Sequence, residues 1–447
     1  MNLPTPLQRC TRHILVVLLA AAGAPALALN GFFAHGYGTQ SKAMGGAGVA
    51  LALDALAPAT NPAAIVRLGA RSDVGLALFH PVRGYTASGT PSGACASASE
   101  CSFGLDPSSI DSGSELFPVP SFGLVRPLSG HAAFGFSVYG NGGLNTDYTA
   151  GSATFGLASG SVPPGQSMTA PGVYGAGDAG IDLSQLFVVP SYARRFGDHL
   201  SIGIAPILAG QRFRAKGLGS FAAYSSDPGR LSDTGYDWAV GGGGRVGIQA
   251  RVHPQLWLGG SWQSRIRMTS FDRYAGLFAG QGRLDIPSTF TVGAAATVTP
   301  ALTLAVDVQR ILYSEVPAIG NRLLPNLATA RLGDDDGAGF GWKDMSIVKL
   351  GLALAGSGQR TWRFGYSYGT AQIPGSQNFL NVLGPAVVRH HLTAGLTQTL
   401  ASGRAINLSL MFAPYHSVEG PNPLDPAQRV EVEARMLEVE FSYAWGG

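Results

Sequence analysis

A chain of 447 residues with 63 glycines and only 13% charged side chains is too glycine-rich and uncharged for an ordinary soluble enzyme, and at 45% hydrophobic it is too apolar for disorder. Without Arg9 and Arg12, which lie in the leader, 28 basic residues face 27 acidic ones. That balance supplies no basic field to draw nucleic acid, which is not an expected partner.

Arg9, Arg12 and His13 precede an apolar run from Ile14 to Ala22, and Ala26-Leu27-Ala28 follows as an A-x-A-like cleavage site. This pattern predicts a signal peptide over 1–28 and a mature chain from Leu29. A membrane anchor is the alternative, for which the run is too short. No later stretch reaches the ~18–20 apolar residues of a spanning helix. Only helices and closed barrels satisfy every backbone polar group in lipid, so a secreted chain of this composition points to a closed barrel.

Residues 29–71 fit no strand. Gly31-Phe32-Phe33, Gly45-Gly46-Ala47-Gly48, Ala50 to Ala57 and Asn61-Pro62-Ala63-Ala64 read as small helices and turns. Hanging free, this apolar segment would be exposed; folded inside the barrel as a plug, it would be buried. A periplasmic extension is the alternative.

From 72 to 447 the chain reads as barrel. Leu302, Leu304, Val306 and Val308 alternate with Thr303, Asp307 and Gln309. Trp362, Phe364, Tyr366 and Tyr368 alternate with smaller or polar residues, as do Ile406, Leu408, Leu410 and Phe412. In the last strand Leu437, Val439, Phe441, Tyr443 and Trp445 alternate with Glu438, Glu440, Ser442 and Ala444, which predicts a wet face for the two glutamates. Fourteen strands are predicted, near 72–86, 116–128, 131–141, 182–197, 199–214, 235–253, 255–271, 284–299, 301–315, 341–356, 360–373, 386–400, 404–417 and 430–445. Short links near 129–130, 197–198, 254, 300, 356–359 and 402–403 alternate with long ones at 87–115, 142–181, 215–234, 272–283, 316–340, 374–385 and 418–429. Outer-membrane barrels have short periplasmic turns and long outer loops, and an even strand number puts both barrel ends on the periplasmic side. A soluble β-sandwich would not need this alternation.

Cys10 leaves with the leader. Cys95 and Cys101 share a Gly/Ser/Ala-rich loop, where an oxidising compartment favours a disulfide. A zinc site is the alternative, but no His or acidic cluster flanks them. No metal or cofactor is expected: Asp334-Asp335-Asp336 reads as a solvated acidic turn, with a bridging cation as the alternative, and His390 and His391 would point to opposite faces of a strand. Gly365-Tyr366-Ser367-Tyr368-Gly369 matches a nucleophile elbow by letter only, since it falls in an alternating strand. Gly175-Ala176-Gly177-Asp178-Ala179-Gly180 lacks the strand and helix of a dinucleotide site. No enzyme is predicted.

Several stretches together resemble the FadL/TodX family of outer-membrane transporters for long-chain fatty acids and hydrocarbons. They are Gly31-Phe32-Phe33, Met44-Gly45-Gly46-Ala47-Gly48-Val49-Ala50, the hatch-like triplet Asn61-Pro62-Ala63, Pro120-Ser121-Phe122-Gly123 and Leu144-Asn145-Thr146-Asp147-Tyr148. Residues 211–218, 271–279 and 332–342 resemble one branch of it. The resemblance implies a fourteen-stranded barrel closed by an N-terminal hatch, with uptake by diffusion, without ATP or an energising partner. It also implies that the mature N-terminus touches ligand and that its displacement is linked to opening. Better-known members have an Ala-Pro-Phe-Gly-like stretch near a wall-opening kink at the end of the third strand; here that region reads Tyr139-Gly140-Asn141-Gly142-Gly143. Glycine in a strand often marks a bend, so Gly140, Asn141, Gly142 and Gly143 are the candidate lateral exit.

Each CH₂ of a hydrophobic solute prefers apolar surroundings by roughly 0.8 kcal/mol, so a fatty-acid chain resists a watery pore by on the order of 10 kcal/mol. A ladder of greasy sites would carry it better. Leu218 and Phe221 in one loop, and Tyr274, Leu277 and Phe278 in another, are candidates for first capture, with loop packing as the alternative. Phe32 and Phe33 are candidates for a deeper site. Arg265, Arg267 and Arg363, read as inward-facing, would meet a carboxylate head or else join a network with Asp307, Glu438 and Glu440. The expected partners are hydrophobic small molecules and outer-membrane lipid with lipopolysaccharide, and the expected state is a monomer. A polar-solute porin, or less readily an outer-membrane lipid hydrolase or adhesin, are the competing readings; sugar-driven liposome swelling, esterase activity and cell binding would tell them apart.

Overall fold

A computed structural model describes residues 30–97, 100–156, 167–401 and 403–446. The leader and the mature start at Leu29 lie outside the described residues, as does Ser402.

The alternating segments form fourteen antiparallel strands. They are β1 (Arg71–Ser88), β2 (Phe117–Ser129), β3 (Ala132–Asn145), β4 (Gly180–Phe196), β5 (Leu200–Lys216), β6 (Asp237–His253), β7 (Leu256–Gln263, resuming at Arg267–Met268), β8 (Thr289–Thr299), β9 (Leu302–Ile311), β10 (Met345–Ala355), β11 (Arg360–Gly369), β12 (His390–Thr399), β13 (Ala405–Pro421) and β14 (Arg429–Trp445). Each pairs with the next, and β1 pairs with β14 from Ser72↔Trp445 to Ser88↔Arg429, which closes the barrel. Closure leaves no strand at a free sheet edge. The tight links and the long loops lie at opposite ends, as the alternation of link lengths predicts.

Pleating puts alternate side chains on opposite faces. Leu304, Val306, Val308, Phe364, Leu408, Leu410, Val439 and Phe441 form part of an exposed apolar outer surface, as a bilayer requires. Asp307, Glu438 and Glu440 on the intervening positions are buried inside. No helix among the described residues is long and apolar enough to cross a membrane.

Two sequence expectations change here. β7 breaks after Gln263. Ser264 N donates to Gly244 O at 2.9 Å, while Gly244 N donates to Ser264 Oγ at 3.0 Å. Gln263 is buried in the lumen, but after the break it is Ile266 and Met268 that are buried. An odd step between Gln263 and Ile266 reverses the in–out phase. Arg267 therefore does not line the lumen as predicted, being exposed, while Arg265 is half-buried and pairs with the buried Asp285 at 2.7 Å. The second change is at β14, where Glu438 and Glu440 face not a wet lumen but the chain's own N-terminal segment.

Candidate functional site

Residues 30–67 carry one short α-helix (Thr39–Lys42) and two 3-10 turns (Ala57–Ala59 and Pro62–Arg67). Nearly all of this segment is buried against inward positions of the wall. Glycines make the room. A Cβ at Gly203, Gly247, Gly259, Gly351, Gly365 or Gly395, each on a different strand, would run into Ala43–Ala63.

Polar bonds then fix the segment in place. Asn61 Oδ1 caps Ala63 N at 3.0 Å, and its Nδ2 donates to Val49 O at 2.7 Å and to Ile248 O on β6 at 3.0 Å. Pro62 starts the 3-10 turn, where a missing N–H costs nothing. Lys42 Nζ lies 3.0 Å from Glu438 and 2.6 Å from Glu440 on β14. Asp307 on β9 accepts from Gly48 N at 2.8 Å and Val49 N at 2.9 Å. Arg363 donates to Gln40 Oε1 at 2.8 Å and Thr397 Oγ1 at 2.6 Å. Of the three arginines read as inward-facing, Arg363 is buried and engaged with this segment. The carboxylates expected to neutralise the arginines hold Lys42 and backbone N–H groups instead.

The first described residues meet an aromatic cluster. Phe32 stacks on Phe33 at 5.4 Å between centroids, meets Tyr313 edge-on at 5.2 Å and lies 5.9 Å from Trp342. The Tyr313 hydroxyl donates to Asn30 O. Burial holds that phenol well above its ordinary titration range, so it remains a neutral donor. Tyr313 and Trp342 come from the β9–β10 loop, and nothing in their local sequence marks them as partners of Phe32.

Above this cluster the long loops close over a small apolar cavity of about 30 Å3. Leu218, Phe221, Leu277 and Phe278 line it, together with Phe213 and Phe340. Tyr274 does not. It is buried beside Phe213, and its hydroxyl donates to Gly235 O at 2.6 Å and accepts from Ala215 N at 3.0 Å, so it joins loops to one another. Phe340 in turn packs on Trp342 at 6.4 Å. A run of ring contacts thus joins the loop cavity to Phe32 through Phe340 and Trp342.

The run ends at the wall. β3 and β4 pair Gly142 with Gln185 but Gly140 with Leu186, so Asn141 is an extra residue, a β-bulge. Pairing of β2 with β3 stops at Ser121↔Tyr139, although β2 continues outward to Phe117 along β1. Pro118 and Pro120 occupy that stretch of β2, and proline cannot donate to a ladder. The wall ladder is therefore interrupted beside Gly140–Gly143. Phe33 bridges to Gly142, and Ala34 N donates to Asn141 O at 3.0 Å.

Elsewhere, Cys95 and Cys101 are disulfide-bonded. Asp334 Oδ2 accepts from Arg331 N at 2.9 Å, closing its own turn. No cluster of three metal-ligating side chains occurs among the described residues. The G-x-S-x-G letters lie within β11. Sequence reading missed Lys42, Tyr37, Tyr313 and Trp342. Glycine recurring at the inward phase of successive strands was a usable signal that something packs against the inner wall.

No protein-family model matches the chain, and no curated protein matches it in sequence. Solved structures do match in fold. The toluene transporter TodX of Pseudomonas putida superposes with a TM-score of 0.61 at 16% identity, over 92% of this chain and 99% of that one. The toluene transporter TbuX of Ralstonia pickettii gives 0.59 at 18% identity, covering 92% and 98%. A FadL homologue of Pseudomonas aeruginosa gives 0.62 at 15% identity, covering 92% and 98%.

Proposed function

We propose that this barrel, which has the fold of the TodX and FadL-type proteins, is an outer-membrane channel that admits hydrophobic compounds passively, long-chain fatty acids or related hydrocarbons foremost. Residues 29–71 act as the hatch and 72–447 as the conducting wall. The observation that carries this reading is the ring-to-ring path from the loop cavity through Phe340, Trp342 and Phe32 to Phe33 at the Asn141 bulge. Solute is captured among Leu218, Phe221, Leu277 and Phe278. It moves to a deeper site at Phe32, Phe33, Tyr313 and Trp342. Displacement of the N-terminal residues from the bulge releases it. Each step keeps the solute among apolar side chains, avoiding most of the roughly 0.8 kcal/mol per CH₂ that water exposure costs.

The test is removal of Asn30–Phe33 from the mature chain. The barrel should still assemble, because its ladders do not include these residues, while uptake of a labelled fatty acid or alkane changes severalfold. Unchanged uptake, or sugar-driven swelling of liposomes by the intact protein, would count against the reading. Mass spectrometry of lipids co-purifying in mild detergent identifies the cargo.

A further inference from the structure

Three of the tight turns are knit side by side at one end of the barrel. Arg195 N donates to His131 O at 2.7 Å, and Arg251 N donates to His199 O at 2.6 Å, which joins the β2–β3, β4–β5 and β6–β7 turns in one row. This row carries Arg126, Arg194, Arg195 and Arg251 with His131, His199 and His253, against one carboxylate, Asp198. The remaining short links, at 299–301, 356–360 and 400–404, add only Arg360 and Arg404.

The row is not neutralised from within. Asp198 lies 3.7 Å from Arg195, which also donates to Gly130 O at 3.0 Å. Arg251 donates to Pro254 O at 2.9 Å and Arg126 to Val125 O at 3.0 Å, while Arg194 lies 5.6 Å from the centre of the Phe196 ring. Arg126, Arg194 and Arg251 have no carboxylate partner among the described residues.

Two of these arginines stand on the outer face of the wall. Arg126 is the cross-strand partner of Phe134, and Arg194 of Ile202. Phe134 and Ile202 are exposed, as are Leu128 and Phe196, each two residues from one of the arginines and on the same face. Charge on the lipid face of a barrel is costly at mid-membrane and tolerated near its edges. A water-soluble acidic partner would have no use for arginines set among apolar side chains. A lipid presents an anionic head and an apolar tail together.

We infer that this face binds an acidic phospholipid of the periplasmic leaflet. Arg126 and Arg194 hold its phosphate, and its acyl chains lie along Phe134 and Ile202. A guanidinium fork matches two phosphate oxygens, and the net negative head group is drawn to the basic row of turns. The inference rests on the outer-membrane reading above for the side on which the turns lie.

The experiment uses the full mature protein in detergent micelles, titrated with phosphatidylglycerol or phosphatidylcholine of equal chain length, with bound lipid counted by native mass spectrometry. Phosphatidylglycerol should bind about tenfold more tightly. Arg126→Gln combined with Arg194→Gln should abolish that preference, and Arg194→Gln alone is read in the same way if the pair fails to assemble. Arg310→Gln, an exposed arginine near the loop end of β9, should keep it. Equal binding of the two lipids, an unchanged preference in the double variant, an equal loss in Arg310→Gln, or displacement of the lipid by inorganic phosphate overturns the lipid site. Fatty-acid uptake by the same variants is scored separately, so that failure leaves the channel reading standing. Labelling of Ser129→Cys in intact cells by a reagent that does not cross the outer membrane would put the turns outside and overturn both.

Discussion

The Tyr37 hydroxyl shares its one hydrogen between two oxygens of Asn141, the carbonyl at 3.1 Å and the side-chain oxygen at 2.8 Å. One phenol thus ties the N-terminal segment to the bulge that interrupts the wall. Tyr37 also packs on Tyr139, 4.9 Å away, so its ring and its hydroxyl grip the same stretch of β3.

Tyr37→Phe keeps the ring and removes both bonds. Losing hydrogen bonds at a buried oxygen costs about 1–3 kcal/mol, all of it local to this contact. Amide hydrogen exchange at residues 139–143 should speed up, and hydrophobic uptake should rise. The barrel's thermal transition should hardly move. Protection equal to the unmodified protein would show that the bulge is held by its backbone bonds alone.

Lys42 anchors the other side of the segment. It is buried between Glu438 and Glu440, and removing one partner of a buried ion group costs about 3–5 kcal/mol because it leaves uncompensated charge. Lys42→Met should make the N-terminal segment sensitive to protease while the barrel remains assembled. Adding Glu438→Gln and Glu440→Gln should restore part of the resistance. Without that recovery, Lys42 would act through packing rather than charge.

Gly365 lies against Met44 and Gly45. Gly365→Val is tolerated by strand geometry, since a β-branched residue suits a strand, but its side chain claims space the segment occupies. The expected result is an assembled barrel with a displaced plug, scored as increased permeability to small polar solutes. Valine at Gly210, where an added Cβ meets nothing, is the control and should leave permeability unchanged. Equal permeability of the two variants would mean that the segment yields without opening a path.

Strand positions, their in–out phase and the alternation of short and long links were legible in the chain by itself. Each is a local property: a period of two and turn-forming residues can be read within a dozen positions. That the stretch before the first strand is apolar and has no strand pattern was legible for the same reason. Which residues meet across the lumen was not. Lys42 finds Glu440, Phe32 finds Trp342 and Tyr37 finds Asn141 only because closure of the barrel brings distant positions together around one interior. The phase reversal after Gln263 likewise arises from a bulge against the neighbouring strand, and it moved Arg267 out of a lumen that alternation alone had assigned it. Local periodicity decides that there is an inside; contacts between the strands and the N-terminal segment decide what chemistry faces it.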